Sequence, residues 1–356
     1  MVKRLRIGFM GATWPCRYHA EGFGALRGAE LAAVAEPNEE KRRAFVTANG
    51  PMREFTDYRA MIEKNDLDAV AIGLPTGMHF DATCESLKAG LHVLCEKPPT
   101  TNCREMMRVA RLAKRTGLTY MFCRQPRFKA ESLAARRLAA SGRLGEVYHA
   151  EGRWYRARNI PLGAGGWFVN RAKGGGVLLD LGIHAIDNAW FVMGCPRPVE
   201  VFAGLHCAFS HLAPKGIAYT AEDAAVGMIR FENGATLDFT VTFALNTAGP
   251  DAANVNGETR PEWGEVRVYG DKGGVDVTAG KHIAGRKRKV RVSPLRVPKK
   301  PLPVFDAQAK EFLRAVRTGT EPMNSADQAV MLMQMLDALR KSGDTQRAVR
   351  IAAPRG

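Results

Sequence analysis

Five short apolar runs, at residues 5–10, 31–35, 69–74, 93–95 and 119–123, read as buried strands, because each is continuous rather than alternating and stops at a turn former or charge. Residues 18–26, 39–47, 58–65, 79–89 and 103–115 lie around and between them, with apolar positions at helical spacing. Strands that alternate with helices of this length predict a parallel sheet covered on both faces, an α/β domain over residues 1–123.

Beyond Cys123 the pattern changes. Residues 132–140 predict one more helix, and residues 145–155 open with turn chemistry before alternating through Val147, His149, Glu151, Arg153 and Tyr155. Residues 159–176 are rich in Gly and Pro and read as a long loop. Residues 178–193 are apolar at helical spacing and end at Gly194. Strand-like runs follow at 199–206, 224–231, 235–245, 265–269 and 275–278. Glu232-Asn-Gly234 and Asp271-Lys-Gly-Gly274 supply hairpin turns. Strands in series with tight turns predict an antiparallel sheet, and residues 305–316 and 326–342 predict closing helices. The second domain, residues 124–356, is therefore expected to be α+β.

The chain has 356 residues, more than one hydrophobic core comfortably serves, which agrees with two domains. A composition of 46% hydrophobic and 25% charged residues belongs to a folded globular chain. The net charge of +16 favours anionic partners, and much of the excess is local: residues 281–300 hold nine Lys and Arg residues and no acid. That segment reads as a solvated, poorly ordered hairpin, and without a recognisable module or interleaved aromatics no nucleic-acid partner is expected. The seven cysteines form no C-x-x-C pair and read as reduced thiols. The first apolar run is too short for a signal peptide, and no stretch reads as a membrane span, so a cytoplasmic protein with no membrane partner is expected.

Candidate chemistry concentrates in three places. The first strand ends at Gly11 and the second at Glu36, at a spacing that places a carboxylate on ribose hydroxyls in a dinucleotide-binding β-turn-α-β unit. The glycine fingerprint is incomplete: Thr13 and Cys16 stand where its second and third glycines belong, so either the backbone stands farther from a pyrophosphate or the Thr13 hydroxyl and Trp14 join the contact. The second place is Glu96-Lys97-Pro98, cut off at the end of a strand, where parallel sheets bind ligands. A half-desolvated lysine there loses some preference for its charged form and can share a proton with a reacting hydroxyl. The third is Gly174-Gly-Gly followed by Asp180, His184 and Asp187. In a helix starting near Leu178, Asp180 and His184 share a face at i,i+4, the arrangement of an acid/base pair. A metal reading of that pair lacks a third ligand, and the structural alternative makes Asp180 a helix cap and His184 a core residue. The glycines leave room for something large to approach the backbone.

Together these stretches resemble the Gfo/Idh/MocA oxidoreductases over nearly the whole chain. Residues 89–98, AGLHVLCEKP, are similar to that family's A-G-K-H-V-L-x-E-K-P signature, and residues 180–187, DLGIHAID, to its D-x-G-x-H-x-x-D helix. Leu74-Pro-Thr76 with His79 resembles its T-P-N-x-x-H turn, and Gln125-Pro-Arg127-Phe128 its N-x-R-F segment. The resemblance implies a Rossmann domain holding NAD, with NADP not excluded, and a C-terminal domain with a large, mostly antiparallel open sheet. One face of that sheet is expected to carry a homo-oligomer interface, dimeric or tetrameric. It further implies hydride transfer at a secondary hydroxyl of a sugar, cyclitol or derivative. His184 would be the main acid/base, Lys97 the group polarising the reacting oxygen, and Asp180 the residue orienting one or both. Gly11, Thr13, Trp14, Glu36, Leu74, Thr76, His79, Glu96, Lys97 and Gln125 would hold the cofactor. Asp180 and His184 would also meet the substrate, and Trp154, Tyr155, Arg156, Arg158 and Trp167 are expected to wall it, since aromatic faces suit sugar C–H surfaces and arginines suit anionic groups.

The incomplete glycine motif leaves a second activity open, a redox glycosidase or lyase whose tightly held NAD is recycled within each turnover, with Tyr155, Asp180 or His184 as base for the C–H. A silent dinucleotide-binding regulator is the third reading, and the joint presence of Lys97, Asp180 and His184 speaks against it.

Overall fold

The structure, a computed structural model, describes residues 3–64, 66–156, 160–246 and 262–352. The chain divides into two compact units: Met1–Lys129 with Lys300–Met333, and Ala130–Lys299 with Gln334–Gly356. The expected boundary lies near residue 123; the first unit runs on to Lys129 and takes up residues 300–333 again after the second unit has begun.

In the first unit six parallel strands, β1 (Leu5–Met10), β2 (Ala29–Ala35), β3 (Arg53–Phe55), β4 (Ala69–Ile72), β5 (His92–Cys95) and β6 (Tyr120–Phe122), lie in the order β3-β2-β1-β4-β5-β6. This is the doubly wound Rossmann order, and its direction reverses between β1 and β4. β3 has no apolar signal of its own; Arg53 and Glu54 are exposed, and it is a strand because it adds to the edge of β2. The helices are α1 (Trp14–Gly24), α2 (Glu39–Asn49), α3 (Tyr58–Glu63), α4 (Thr76–Lys88) and α5 (Cys103–Thr116). α1 begins four residues before the expected start, because Pro15 in its first turn lacks only an N–H that would have no helical partner.

Two helices lie late in the chain, α8 (Val304–Thr318) and α9 (Ala326–Thr345). α8 lies on α1: Phe312 meets Phe23 edge-on at 5.9 Å, Phe305 stacks on Tyr18 at 5.0 Å, and a Cβ on Gly22 would come within 2.7 Å of the Phe305 carbonyl. Buried Arg127 donates to Met323 O and Gln328, which ties the segment after β6 to the same C-terminal stretch.

The second unit holds α6 (Ala130–Ala140), α7 (Ile183–Met193) and a nine-stranded sheet. Its strands are β7 (Val147–Arg156), β8 (Pro198–His206), β9 (Ala224–Phe231), β10 (Thr236–Thr242), β11 (Glu262–Gly270), β12 (Gly273–Asp276), β13 (Lys281–Arg286), β14 (Lys289–Pro294) and β15 (Val349–Arg350), in the order β14-β13-β12-β11-β7-β10-β9-β8-β15. Every pair is antiparallel except β10 with β7. The basic segment is a regular hairpin, β13–β14, that extends the sheet by two strands. α7 packs across β7, where Gly152 lets the Ala185 carbonyl approach: a Cβ there would be 2.6 Å from it. Arg171–Met193 is long and apolar enough by composition to cross a membrane, contrary to expectation, but its 18-residue apolar window is 83% buried in the unit, as in a core segment.

Candidate functional site

In the first unit the β1–α1 turn brings backbone to backbone. Gly11 has φ +99°, and a Cβ on it would meet the Gly73 carbonyl at 3.0 Å. Cys16, in place of the third glycine, is fully buried and donates to Met10 O at 3.3 Å. The small residue needed for close packing has moved across the sheet to Gly73, where a Cβ would stand 2.6 Å from Cys16 Sγ. Thr13 precedes α1 without capping it through its side chain, and no acid lies in the first turn, so the helix N-terminus keeps its N–H groups and partial positive charge for an anion. A cavity of about 430 Å³ opens there, lined by Ala12, Thr13, Trp14, Arg17, Lys41 and Phe45 among others. Glu36 closes the end of β2, its carboxylate accepting from the N–H groups of Ala12 and Asn38, each at 3.1 Å.

At the end of β5 the Glu96 carboxylate is 3% exposed and accepts three hydrogen bonds: from His19 Nε2 at 2.8 Å, from Gln125 Nε2 at 2.9 Å and from the Lys97 N–H at 3.0 Å. Burial opposes the charge, but the His19 contact and the Lys97 N–H outweigh it and hold the carboxyl down at about 2. Glu96 is therefore a fixed anion, and Lys97 follows it across a cis peptide to Pro98. His19 was not legible in the sequence. It stands on α1, and only the packing of α1 on the sheet brings it to Glu96 and within 3.5 Å of Cys123 Sγ.

His79 departs from its expected role of touching the cofactor. It is 1% exposed, with Nδ1 2.8 Å from Pro98 O and Nε2 2.7 Å from Leu74 O. Two carbonyl partners call for two N–H donors, so the ring is an imidazolium brace between the β4–α4 turn and Lys97-Pro98. Burial alone would hold the ring neutral; the neighbouring Cys95 sulfur and both carbonyls outweigh it and push its pKa up to about 9. Thr76 opens α4 and is buried beside this brace.

In the second unit Asp180 lies in a π turn, Leu178–Gly182, and His184 in the α-helix that continues it. The Ile183 N–H reaches back to Leu178 O, five residues earlier, a widening that spacing alone does not reveal and that recurs at functional sites. The glycines before it serve the chain itself: a Cβ on Gly175 would strike the carbonyls of Trp167 and Phe168, and one on Gly176 the Glu222 carboxylate. Asp180 Oδ2 accepts from Arg156 Nη1 at 3.3 Å. Arg156 Nε donates to Glu262 Oε2 at 2.8 Å, and Trp154 Nε1 donates to Glu262 Oε1 at 2.7 Å. The Trp154 ring lies 5.1 Å from that of His184. One cluster thus joins Asp180, Arg156, Glu262, Trp154 and His184. Glu262 is the member the sequence hid, because only the β11–β7 pairing sets it opposite Arg156.

Tyr155 requires correction as a substrate wall or C–H base. It lies between Trp154 and Arg156 in β7, so its side chain takes the opposite face, where it packs on Trp263 at 5.2 Å. Trp167 stacks at 3.7 Å on its chain neighbour Phe168 in the glycine-rich segment rather than on the cluster. Arg158 lies outside the described residues.

A family model described as an oxidoreductase family with an NAD-binding Rossmann fold matches residues 5–123, and one for the GFO/IDH/MocA C-terminal domain matches residues 132–276. The chain belongs to the GFO/IDH/MocA family. It is an NAD(P)-dependent oxidoreductase. Among relatives in this family, D-glucoside 3-dehydrogenase of Escherichia coli K12 is 26% identical over 98% of this chain and 97% of its own length. The 1,5-anhydro-D-fructose reductase of Ensifer adhaerens is 26% identical over 97% of this chain and 98% of its own. The fold matches that of a levoglucosan dehydrogenase solved with NADH and levoglucosan, at a TM-score of 0.84, 20% identity and coverage of 99% of this chain and 100% of that one.

The residues present fit the family's dinucleotide. The uncapped α1 N-terminus with Gly11 suits a pyrophosphate, the adjoining cavity is within the 300–1,000 Å³ typical of ligand pockets, and Glu36 keeps acceptor capacity beyond its two backbone partners.

Proposed function

We propose that the protein moves a hydride between NAD(H) and a secondary hydroxyl of a sugar, cyclitol or derivative, with His184 as acid/base, Lys97 polarising the reacting oxygen and Asp180 orienting the site. The observation that carries this reading is the state of Glu96-Lys97: a buried carboxylate fixed by three donors immediately before the lysine, at the end of a strand in a Rossmann sheet. Gly11, Thr13, Trp14, Glu36, Leu74, Thr76, Glu96 and Gln125 are proposed to form the cofactor's surroundings, with His79 bracing them. The names of the relatives, which act on glucosides and anhydrosugars, support a carbohydrate substrate.

When bound, the nicotinamide supplies the hydride chemistry. Glu96 fixes the backbone that carries Lys97, whose ammonium donates to an oxygen on which negative charge grows during transfer. His184 takes or returns the hydroxyl proton, and Trp154 beside it offers an aromatic face to sugar C–H groups. Arg156 holds Asp180 and Glu262 together and keeps two carboxylates from repelling one another.

The test is denaturing release of nucleotide from purified protein, followed by a sugar screen that follows NADH absorbance and leaving-group release together. Lys97→Met and His184→Ala are each expected to lower kcat by about a thousandfold with folding unchanged, in the range for loss of an acid/base or charge-stabilising group. Wild-type rates in either variant would refute the assignment, and leaving-group release without net NADH would replace simple dehydrogenation by the recycled-cofactor reading.

The open face of the second sheet supports a homo-oligomer. Phe202 and Met228 are directly opposed on β8 and β9 and stand 50% and 48% exposed, with Val226 beside them at 40%. Such an apolar patch fits a second copy of the chain. The seven cysteines, with no C-x-x-C pair among them, support a reducing, cytoplasmic setting, which cell fractionation would check.

A further inference from the structure

The basic hairpin, which the proposed hydride chemistry does not use, builds one wall of a cavity in the second unit. Across β13 and β14, His282 is directly opposite Ser293 and Ala284 opposite Arg291, so all four side chains share one hairpin face. That face and the end of α6 enclose about 610 Å³. Ala134, Leu138 and Leu295 make an apolar floor, and Arg137, Arg143, Arg291 and Arg296 stand exposed around the rim.

Two features of this cavity are unexplained by folding alone. No carboxylate lines it, and none of its four arginines forms an ion pair among the described residues. Elsewhere in the unit arginines face acids: Arg153 with Asp238, Arg171 with Asp344, Arg230 with Glu200, and Arg267 with Glu151, Glu265 and Asp276. Four guanidinium groups lining one space without an acid among them make a positive field that favours an anion. Second, His282 is 7% exposed and its Nε2 is buried without a hydrogen-bond partner. Burial and the nearby Arg143 lower its pKa, so the ring is neutral at neutral pH and can offer an Nε2–H donor. A buried ring nitrogen left unsatisfied carries a desolvation cost that a ligand oxygen would relieve.

We propose that this cavity binds a small phosphorylated metabolite carrying more than one phosphoryl charge, gripped by the four arginines and by His282 Nε2 from within. Guanidinium forks match phosphate oxygens two at a time, and the volume is that of a site for a sugar phosphate or a nucleoside diphosphate. The apolar floor serves the non-ionic part of the ligand.

The test is calorimetric titration of the full chain with inorganic pyrophosphate, and separately with orthophosphate, at saturating NAD⁺ so that the Rossmann site is filled. Saturable binding of pyrophosphate, tighter than of orthophosphate, is expected. Arg143→Ala combined with Arg291→Ala is expected to weaken it about tenfold or more, the effect of losing a charge-assisted hydrogen bond. Arg288→Ala combined with Lys299→Ala removes the same amount of charge, but at positions that do not line the cavity, and is expected to leave the affinity unchanged. All four positions are exposed, so thermal unfolding should not distinguish the variants from wild type. Equal weakening by both pairs would show diffuse electrostatic attraction only and overturn the proposal, as would absence of saturable binding. Retention on single-stranded RNA that depends on Arg143 and Arg291, without pyrophosphate binding, would also overturn it, in favour of a nucleic-acid surface.

Discussion

Two buried charges in the first unit make stability depend on pH in opposite directions. His79 has its pKa raised from 6.5 to about 9, so its contribution is present in full below pH 6.5 and is lost as pH rises to about 9. Glu96 has its pKa lowered from 4.5 to about 2, so its contribution is present above pH 4.5 and is lost as pH falls to about 2. Urea unfolding of the wild type between pH 6.5 and 9 should show a loss of about 3 kcal/mol that His79→Gln lacks. A parallel decline in both proteins would mean that His79 is neutral in the fold. Lys97 and Glu96 were legible as residues at a strand end. His19 and Gln125 as their fixings were not, because hydrogen-bond partners on α1 and beyond β6 meet Glu96 only after the sheet is covered.

At the level of elements the π turn before α7 decides where Asp180 stands. Gly175 and Gly176 let the Trp167–Phe168 backbone and Glu222 close against its start, and Glu222 O accepts the Val177 N–H at 2.9 Å. Gly175→Ala puts a methyl group against two backbone carbonyls that cannot yield as a side chain end would. It is expected to cost about 2 kcal/mol or more by thermal unfolding and to depress kcat with it. An Ala variant as stable and active as wild type would show that the segment relaxes freely. Period-two alternation in β7 already separates Tyr155 from Trp154 and Arg156, so that distinction was available in the sequence. Glu262 was not, since its partnership with Arg156 depends on which strand follows β7 in the sheet rather than in the chain.

For the whole molecule, Phe202→Glu combined with Met228→Glu should leave each unit folded and turn the proposed oligomer into a monomer by light scattering, because charges on an apolar sheet face cannot be buried unpaired. An unchanged mass would refute this face as an interface. The sequence by itself determined the alternation of strands and helices, the change to hairpin-linked strands after Cys123, and the positions of Gly11, Glu36, Glu96-Lys97 and Asp180-His184. These are local matters, set by hydrophobic period, turn formers and spacing within one stretch. Tertiary structure alone decided that residues 300–333 return to the first unit, that Gly73 supplies the small residue missing beside Cys16, that His19 secures Glu96 and Glu262 secures Arg156, and that a basic hairpin encloses a cavity with α6. Each of those depends on contacts between residues far apart in the chain, and such contacts leave no periodic trace because any of several partners would satisfy the same local pattern.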